Sequence, residues 1–268
     1  MPTWLRMRRA AALFALLATR ALSAQAPPPE VATGDSLAAA LQPAEALHAY
    51  QAALARDSTA YDARWKAARE LINLAKQIEG NADPLRHRRD SLYVAARTLA
   101  ERAVALAPDR AEGHAMIAQA LGRLSRTRGG KERVRFARII YDEAARAIAL
   151  DSTNDVAYHV LGAWHAEVMR LSALQRFFAK TLFGAGFLGR ANWADARRAL
   201  ERAVALRPGY IFHHLELAEI DTDMGQYAAA RDQLSVIATL PTTDVLDDRY
   251  RQRAAALLEQ IRGKRDRS

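Results

Sequence analysis

The sequence predicts an all-α fold, a right-handed α-solenoid of antiparallel helix hairpins that carries insertions. Three observations predict it. One phrase recurs, an Ala/Leu-rich helix that closes on Asp or Pro before a new amphipathic run begins: YQAALARDS, LAERAVALAPD, AARAIALDST, ALERAVALRPG and SVIATLPT. Apolar and small residues repeat at helical spacing, as at Tyr158, Leu161, Gly162 and His165, which fall at i, i+3, i+4 and i+7. No stretch alternates apolar and polar residues with the period of two that marks a strand.

Taking Ser58, Pro108, Ser152, Pro208 and Pro241 as equivalent, the phrase returns after 50, 44, 56 and 33 residues. The last interval matches the tetratricopeptide unit, a helix hairpin of about 34 residues. The other three exceed 34 by 16, 10 and 22, which places one insertion inside each of three hairpins, near 78–91, 123–135 and 173–190. The register resumes after each insertion. Trp193, Ala196, Leu200, Ala203 and Pro208 fit the second helix of a unit, and Leu217, Ala218, Gly225, Tyr227, Ala230 and Leu234 fit the unit that follows. Small residues belong where helices cross closely, so Gly162→Leu is expected to overpack a junction and Gly162→Ala to be far milder.

The elements follow in order. Residues 1–24 read as an export signal: Met1–Arg9 carry three arginines, Ala10–Thr19 form an apolar core, and Ala21–Ala26 supply small residues for cleavage after Ala24. Ten apolar residues ended by Arg20 fall short of the roughly 20 that cross a bilayer. Residues 25–33 are Pro-rich and expected to be disordered. The solenoid occupies 34–262, with helices expected over 35–56, 60–79, 87–107, 110–126, 132–150, 155–173, 191–207, 210–224, 227–239 and 244–262. The polar tail 263–268 is expected to fray.

The formal charge of +9 falls to +5 once Arg6, Arg8, Arg9 and Arg20 leave with the signal. Most of the remainder is local: seven basic residues between Arg123 and Arg138 face Glu132 alone. An exported chain meets little nucleic acid, and only Phe136 interleaves as a stacking residue, so the run reads as a solvated loop or a surface for an acidic partner or anionic lipid. The chain has no cysteine, which excludes disulfides, a lipid-modified Cys and thiolate metal sites. No cofactor, metal or catalytic residue is expected. Gly184–Gly189 spells G-x-G-x-x-G, but that fingerprint needs a strand before it, and here it joins an aromatic segment to a repeat helix. His159 and His165 lie about 120° apart on a helix and His213 and His214 point apart, poor geometry for one ion. His165 takes a regular packing position of the repeat.

The third insertion gathers Phe177, Phe178, Phe183 and Phe187, four of seven phenylalanines, within eleven residues. Such density packs back on the solenoid or, through Phe177, Phe183 and Phe187, touches a membrane surface or partner.

From Asp155 to about Ile261 the chain resembles the regulator of microtubule dynamics proteins and their bacterial relatives, which are tetratricopeptide-like. The residues that carry the likeness are HVLGAWHAEVMRLS from His159, AKTLFG from Ala179 and LERAVALRPGYIFHHLELAE from Leu200. Where that family commonly has Arg after the Leu-Gly pair, this chain has Ala163. The resemblance implies the fold and a protein-interaction role with no catalytic residue; an exported chain meets no microtubule, so the tubulin partner does not transfer. It also implies a concave wall built from the first helix of each hairpin at repeat positions 2, 5, 9, 12 and 13. Counting from Tyr61, Ala111, Asp155 and Ile211, those positions hold Asp62, Trp65, Arg69 and Asn73; Glu112, Gln119 and Arg123; His159 and Glu167; and Phe212, Glu219 and Asp223. Acids, bases, amides and aromatics together suit an extended polypeptide. The expected function is a periplasmic or secreted non-catalytic scaffold that binds protein or peptide in this groove. Its alternative is a membrane-associated scaffold held by the Phe-rich insertion or an uncleaved leader, with an envelope hydrolase or metal-binding protein a distant third.

Overall fold

The computed structural model describes residues 28–267. The export signal and the first residues of the Pro-rich leader therefore lie outside the described residues. Twelve α-helices and two 3₁₀ turns follow one another, with no strand among the described residues. Helices α1 (Pro29–Ala39) and α2 (Pro43–Arg56) form one hairpin, α3 (Tyr61–Gln77) and α4 (Asp83–Leu106) the next, then α5 (Ala111–Leu124) and α6 (Gly130–Leu150). Helix α7 (Asp155–Arg170) pairs with α9 (Trp193–Leu206) across the inserted α8 (Ala173–Phe183), and α10 (Ile211–Met224) pairs with α11 (Tyr227–Ile237) before α12 (Asp247–Ile261).

The recurring phrase works as a stop signal. Helices α2, α4, α6 and α9 all end with an N–H donating back to an alanine carbonyl, at Ala53, Ala103, Ala147 and Ala203. In two of these turns an aspartate then organises the bend: Asp57 accepts from the Thr59 N–H at 2.8 Å, and Asp151 accepts from the Thr153 N–H at 2.8 Å. The side-chain bond gives the backbone an alternative to continuing the helix. Alanines at 67, 68, 75, 96, 100, 118, 144, 157, 166, 196 and 203 are fully buried, so neighbouring helices approach backbone to backbone. At the crossing of α7 on α9 the approach is close: a Cβ on Gly162 falls inside the Leu200 side chain and 2.9 Å from the Ala196 carbonyl oxygen. The expectation that alanine is mild there is therefore corrected, because even a methyl group has no room.

The structure corrects the sequence reading in several other places. Residues 29–33 of the leader are helical: Pro29 opens α1, where its fixed φ suits the first turn, and Val31 is buried among Tyr50, Ala53 and Ala67. The single helix expected over 35–56 breaks at Leu41 and Gln42: Leu41 takes a left-handed φ of 58°, and Gln42, directly before Pro43, leaves the helical region at φ −107° and ψ 71°, since a residue before proline resists the α conformation. Much of the first and second insertions goes into lengthened helices, 24 residues for α4 and 21 for α6, and the third alone builds an extra helix. The tail is tied down rather than frayed: the Arg267 N–H donates to the Gly225 carbonyl at 3.0 Å, and Asp266 accepts from the Ala228 N–H at 2.8 Å.

One contact spans most of the chain. Lys76 on α3 donates to Asp244, in the loop before α12, although 168 residues separate them. Their side chains are only 7% and 9% exposed. The Tyr210 hydroxyl donates to the same carboxylate at 2.9 Å, and Arg249 pairs with Glu79 close by in sequence. The far end of the solenoid thus folds back onto its second hairpin.

Candidate functional site

Helices α3, α5, α7 and α10 touch one another in succession and form one wall. All four begin at the residues from which the repeat positions were counted, Tyr61, Ala111, Asp155 and Ile211. Midway along this wall opens an apolar cavity of about 400 Å³. Gln119, Arg123, His159, Glu167 and Phe212 of the expected groove line it. Val160, Trp164 and Val168 of α7 supply apolar surface, and Phe178, Ala179 and Phe183 of α8 form its roof.

The roof is held by local chemistry. Ser172 and Gln175 make a reciprocal capping box that starts α8. Arg176 donates to the Met169 and Leu171 carbonyls, satisfying the end of α7. Gly184, at φ 63°, lets the chain turn back, and Phe183 lies against the start of α6, its ring 3.3 Å from where a Gly130 Cβ would stand. Of the phenylalanines expected on a membrane or partner surface, Phe177 and Phe183 are 58% and 41% exposed. Phe187 is not on that surface. It stacks on Trp164 at 6.3 Å with the Arg138 guanidinium 4.3 Å above its ring, because the 3₁₀ turn Gly186–Arg190 carries it back to the core.

Other expected groove residues sit elsewhere on the wall. Glu219 and Asp223 line a second cavity of about 530 Å³ with Arg170 and Arg253. Arg253 pairs with Glu219 at 2.6 Å, and Arg170 bridges Asp223 at 2.7 Å and Glu167 at 3.0 Å. Burial, reinforced by Glu216, pushes the Glu219 carboxyl up to about 7. Asp62, Trp65, Arg69, Asn73 and Glu112 lie outside both cavities and are engaged within the chain: the Trp65 indole donates to Asp62 at 3.2 Å, Arg69 and Asn73 donate to Glu70 at 2.7 and 2.8 Å, and Arg110 reaches both Glu112 and Asp62. The basic run is largely partnered too, with Arg128 on the buried Asp90 at 2.7 Å and Arg135 over Phe136.

Arg123 differs. No carboxylate lies within ion-pair distance of it among the described residues; its guanidinium stands 5.2 Å from the Phe212 ring centroid. The same ring packs on His159 at 4.7 Å and stacks on Tyr250 at 4.5 Å. His159 hydrogen-bonds His213, Nδ1 to Nδ1 at 2.9 Å, and His213 Nε2 meets Asp155 at 2.9 Å. Sequence reasoning missed this chain; the available signal was the His213–His214 pair beginning one residue past an aromatic, with Asp155 opening the facing helix. His165 packs in the core as expected, its ring edge-on to Trp164.

Burial holds His159 well below the ordinary histidine pKa, and the fields of His213 and Arg123 act the same way. His159 therefore stays neutral in the fold but charges in the unfolded chain below about pH 6.5. Its contribution is present above that pH and lost as pH falls. Denaturant titrations are expected to show on the order of 1 kcal/mol less stability at pH 5.5 than at pH 7 from this residue, and a His159→Phe chain to show a correspondingly shallower loss.

Helix hairpins stacked about one shared wall define a tetratricopeptide-like α-solenoid. A thermophilic tetratricopeptide-repeat protein from Thermus thermophilus superposes with a TM-score of 0.61 at 19% identity, covering 86% of this chain and 98% of that one. Over residues 31–262 the chain matches the family Regulator of microtubule dynamics protein 1-3, and it belongs to that family. The match reaches well upstream of Asp155, where the sequence likeness was first legible. Regulator of microtubule dynamics protein 3 of Bos taurus is 25% identical over 203 residues, 75% of this chain and 41% of that protein. The Rattus norvegicus protein of that name is 24% identical over 216 residues, 79% and 44% respectively. The chain thus spans less than half the length of these relatives.

Proposed function

We propose that this protein is a non-catalytic scaffold, exported by its N-terminal signal, that holds a polypeptide partner in the groove beneath α8. One observation carries the reading: a mostly apolar cavity on the shared wall, roofed by Phe178 and Phe183 and floored by Phe212, with polar and charged side chains interspersed in its lining. Concave, mostly apolar sites with few polar groups are the common form of ligand pockets, and repeat solenoids act through such extended surfaces. The relatives' name refers to microtubules, and nothing in the groove's chemistry is specific to tubulin.

The test is a peptide array probed with the full chain, followed by titration of the hits. Phe183→Ser, which strips the roof, is expected to weaken hits at least tenfold with the melting temperature nearly unchanged, as for a partly exposed anchor. Equal affinity would move the site off the groove. Export is checked by N-terminal sequencing of the cell-envelope product; a chain that begins at Met1 counts against it.

A second reading rests on the outer face of α8, where Leu174, Phe177 and Leu182 are 62%, 58% and 67% exposed. That face suits contact with a bilayer surface, although no helix among the described residues is long and apolar enough to cross a membrane. Flotation with anionic vesicles, abolished by Phe177→Ser with Leu182→Ser, supports it; absence of flotation removes it.

A further inference from the structure

The hydrogen-bond chain Asp155–His213–His159 ends at the floor of the groove, and its first member fixes every proton in it. Burial alone would raise the Asp155 carboxyl, but the hydrogen bond and field of His213, with Arg207, hold it below its ordinary value. As a carboxylate it only accepts, so His213 carries its proton on Nε2. A neutral imidazole has one N–H, so His213 Nδ1 accepts and His159 Nδ1 donates. That leaves the His159 lone pair on Nε2. This atom has no hydrogen-bond partner among the described residues, although the residue is only 8% exposed, and His159 lines the cavity.

Arg123 offers the opposite character from the same aromatic ring. It presents N–H donors with no ion-pair partner; the Tyr250 hydroxyl lies beside it, and the fields of Tyr250, Tyr93 and Glu216, the last also lining the cavity, favour its charged form against burial. The floor therefore provides donors and one fixed acceptor, both anchored on Phe212, in a lining of mixed charge where Arg126 and Arg133 stand beside Glu167 and Glu216. A carboxylate or phosphate brings acceptors only and would face the His159 lone pair and Glu216. A hydrocarbon chain satisfies neither group. A main-chain peptide unit supplies both partners and no net charge.

We propose that Arg123 and His159 read a backbone peptide unit of the partner, its carbonyl accepting from the Arg123 guanidinium and a neighbouring N–H donating to His159 Nε2. Flanking apolar side chains then enter the cavity beneath Phe178 and Phe183. The assignment rests on the peptide-binding reading and deepens it: the pair selects an extended backbone, and the cavity selects the side chains.

The probes are blocked tripeptides, acetylated and amidated, built from Leu, Ile, Val and Phe. Each amide N–H is replaced in turn by an ester oxygen, and binding to the full chain is measured by calorimetry. One ester position is expected to weaken binding to the parent chain about tenfold, and the same ester to cost nothing in His159→Phe, which keeps a ring on Phe212. Imidazole ¹⁵N spectra of the parent chain are expected to show His159 unprotonated at Nε2, a readout that needs no variant to fold. Tripeptides that bind with a flat ester scan overturn the assignment and leave the peptide-binding reading standing. Failure of every tripeptide overturns both. Oleate binding more tightly than every tripeptide gives the groove to an amphiphile and overturns both as well. A His159 proton on Nε2 overturns the tautomer argument directly.

Discussion

Gly162→Leu is expected to disrupt the pairing of α7 with α9. The Cβ position on Gly162 already falls within the Leu200 side chain and 2.9 Å from a backbone oxygen, and that oxygen cannot rotate away. Overpacking typically costs about 1–3 kcal/mol where side chains yield. Gly162→Ala is expected toward the upper part of that range and Gly162→Leu beyond it. Leu200→Ala added to the Gly162→Ala background should cost less than the about 2–5 kcal/mol usual for emptying a fully buried leucine site, because the methyl takes up part of the vacated space. Urea unfolding of the four chains tests this; a Leu variant within about 0.5 kcal/mol of the parent would show that the two helices do not cross at this glycine.

Asp244→Ala is expected to cost about 3–5 kcal/mol, the usual penalty for removing one member of a buried ion pair. The loss leaves the Lys76 ammonium in an apolar setting and the Tyr210 hydroxyl without its acceptor. A Lys76→Met, Asp244→Asn double variant should recover much of it, since no buried charge remains and the asparagine carbonyl can accept from the Leu246 N–H while its NH2 donates to the Tyr210 hydroxyl. Equilibrium unfolding measures each step, and an Asp244→Ala chain within about 1 kcal/mol of the parent would mean that water reaches the pair.

Much of the wall was legible in the sequence because local chemistry sets it. The Asp-Ser-Thr, Pro-Asp and Pro-Gly turns fix where these hairpins end, and α3, α5, α7 and α10 start where counting from those turns places them. That register also singled out Gln119, Arg123, His159, Glu167 and Phe212, five residues that meet in one cavity. What stayed hidden depends on long-range packing. An insertion that lengthens a helix has the same amphipathic pattern as one that forms a loop beside it, so α4 and α6 were read short. The Pro-rich start looked unstructured because Val31 is recognisable as a core residue only once Tyr50 is placed beneath it. The roofing role of α8 and the pairing of His159 with His213, 54 residues apart, follow from how helices stack, which no local spacing encodes.

The contact between Lys76 and Asp244 changes how this molecule should come apart. An open solenoid is stabilised by nearest-neighbour terms and frays from its ends, one unit at a time. Here the second hairpin and the loop before α12 share a buried charge, so neither end region opens without exposing the other's. Unfolding is expected to sharpen into one cooperative step over α3–α12, with amide exchange in α3 and α10 following a common opening event. Folding bears the opposite consequence: 168 residues must be enclosed before the pair forms, and the entropy of that closure falls late, after the hairpins have assembled in sequence. The chain is built from local repeats, but a buried ion pair ties its second hairpin to the loop before α12.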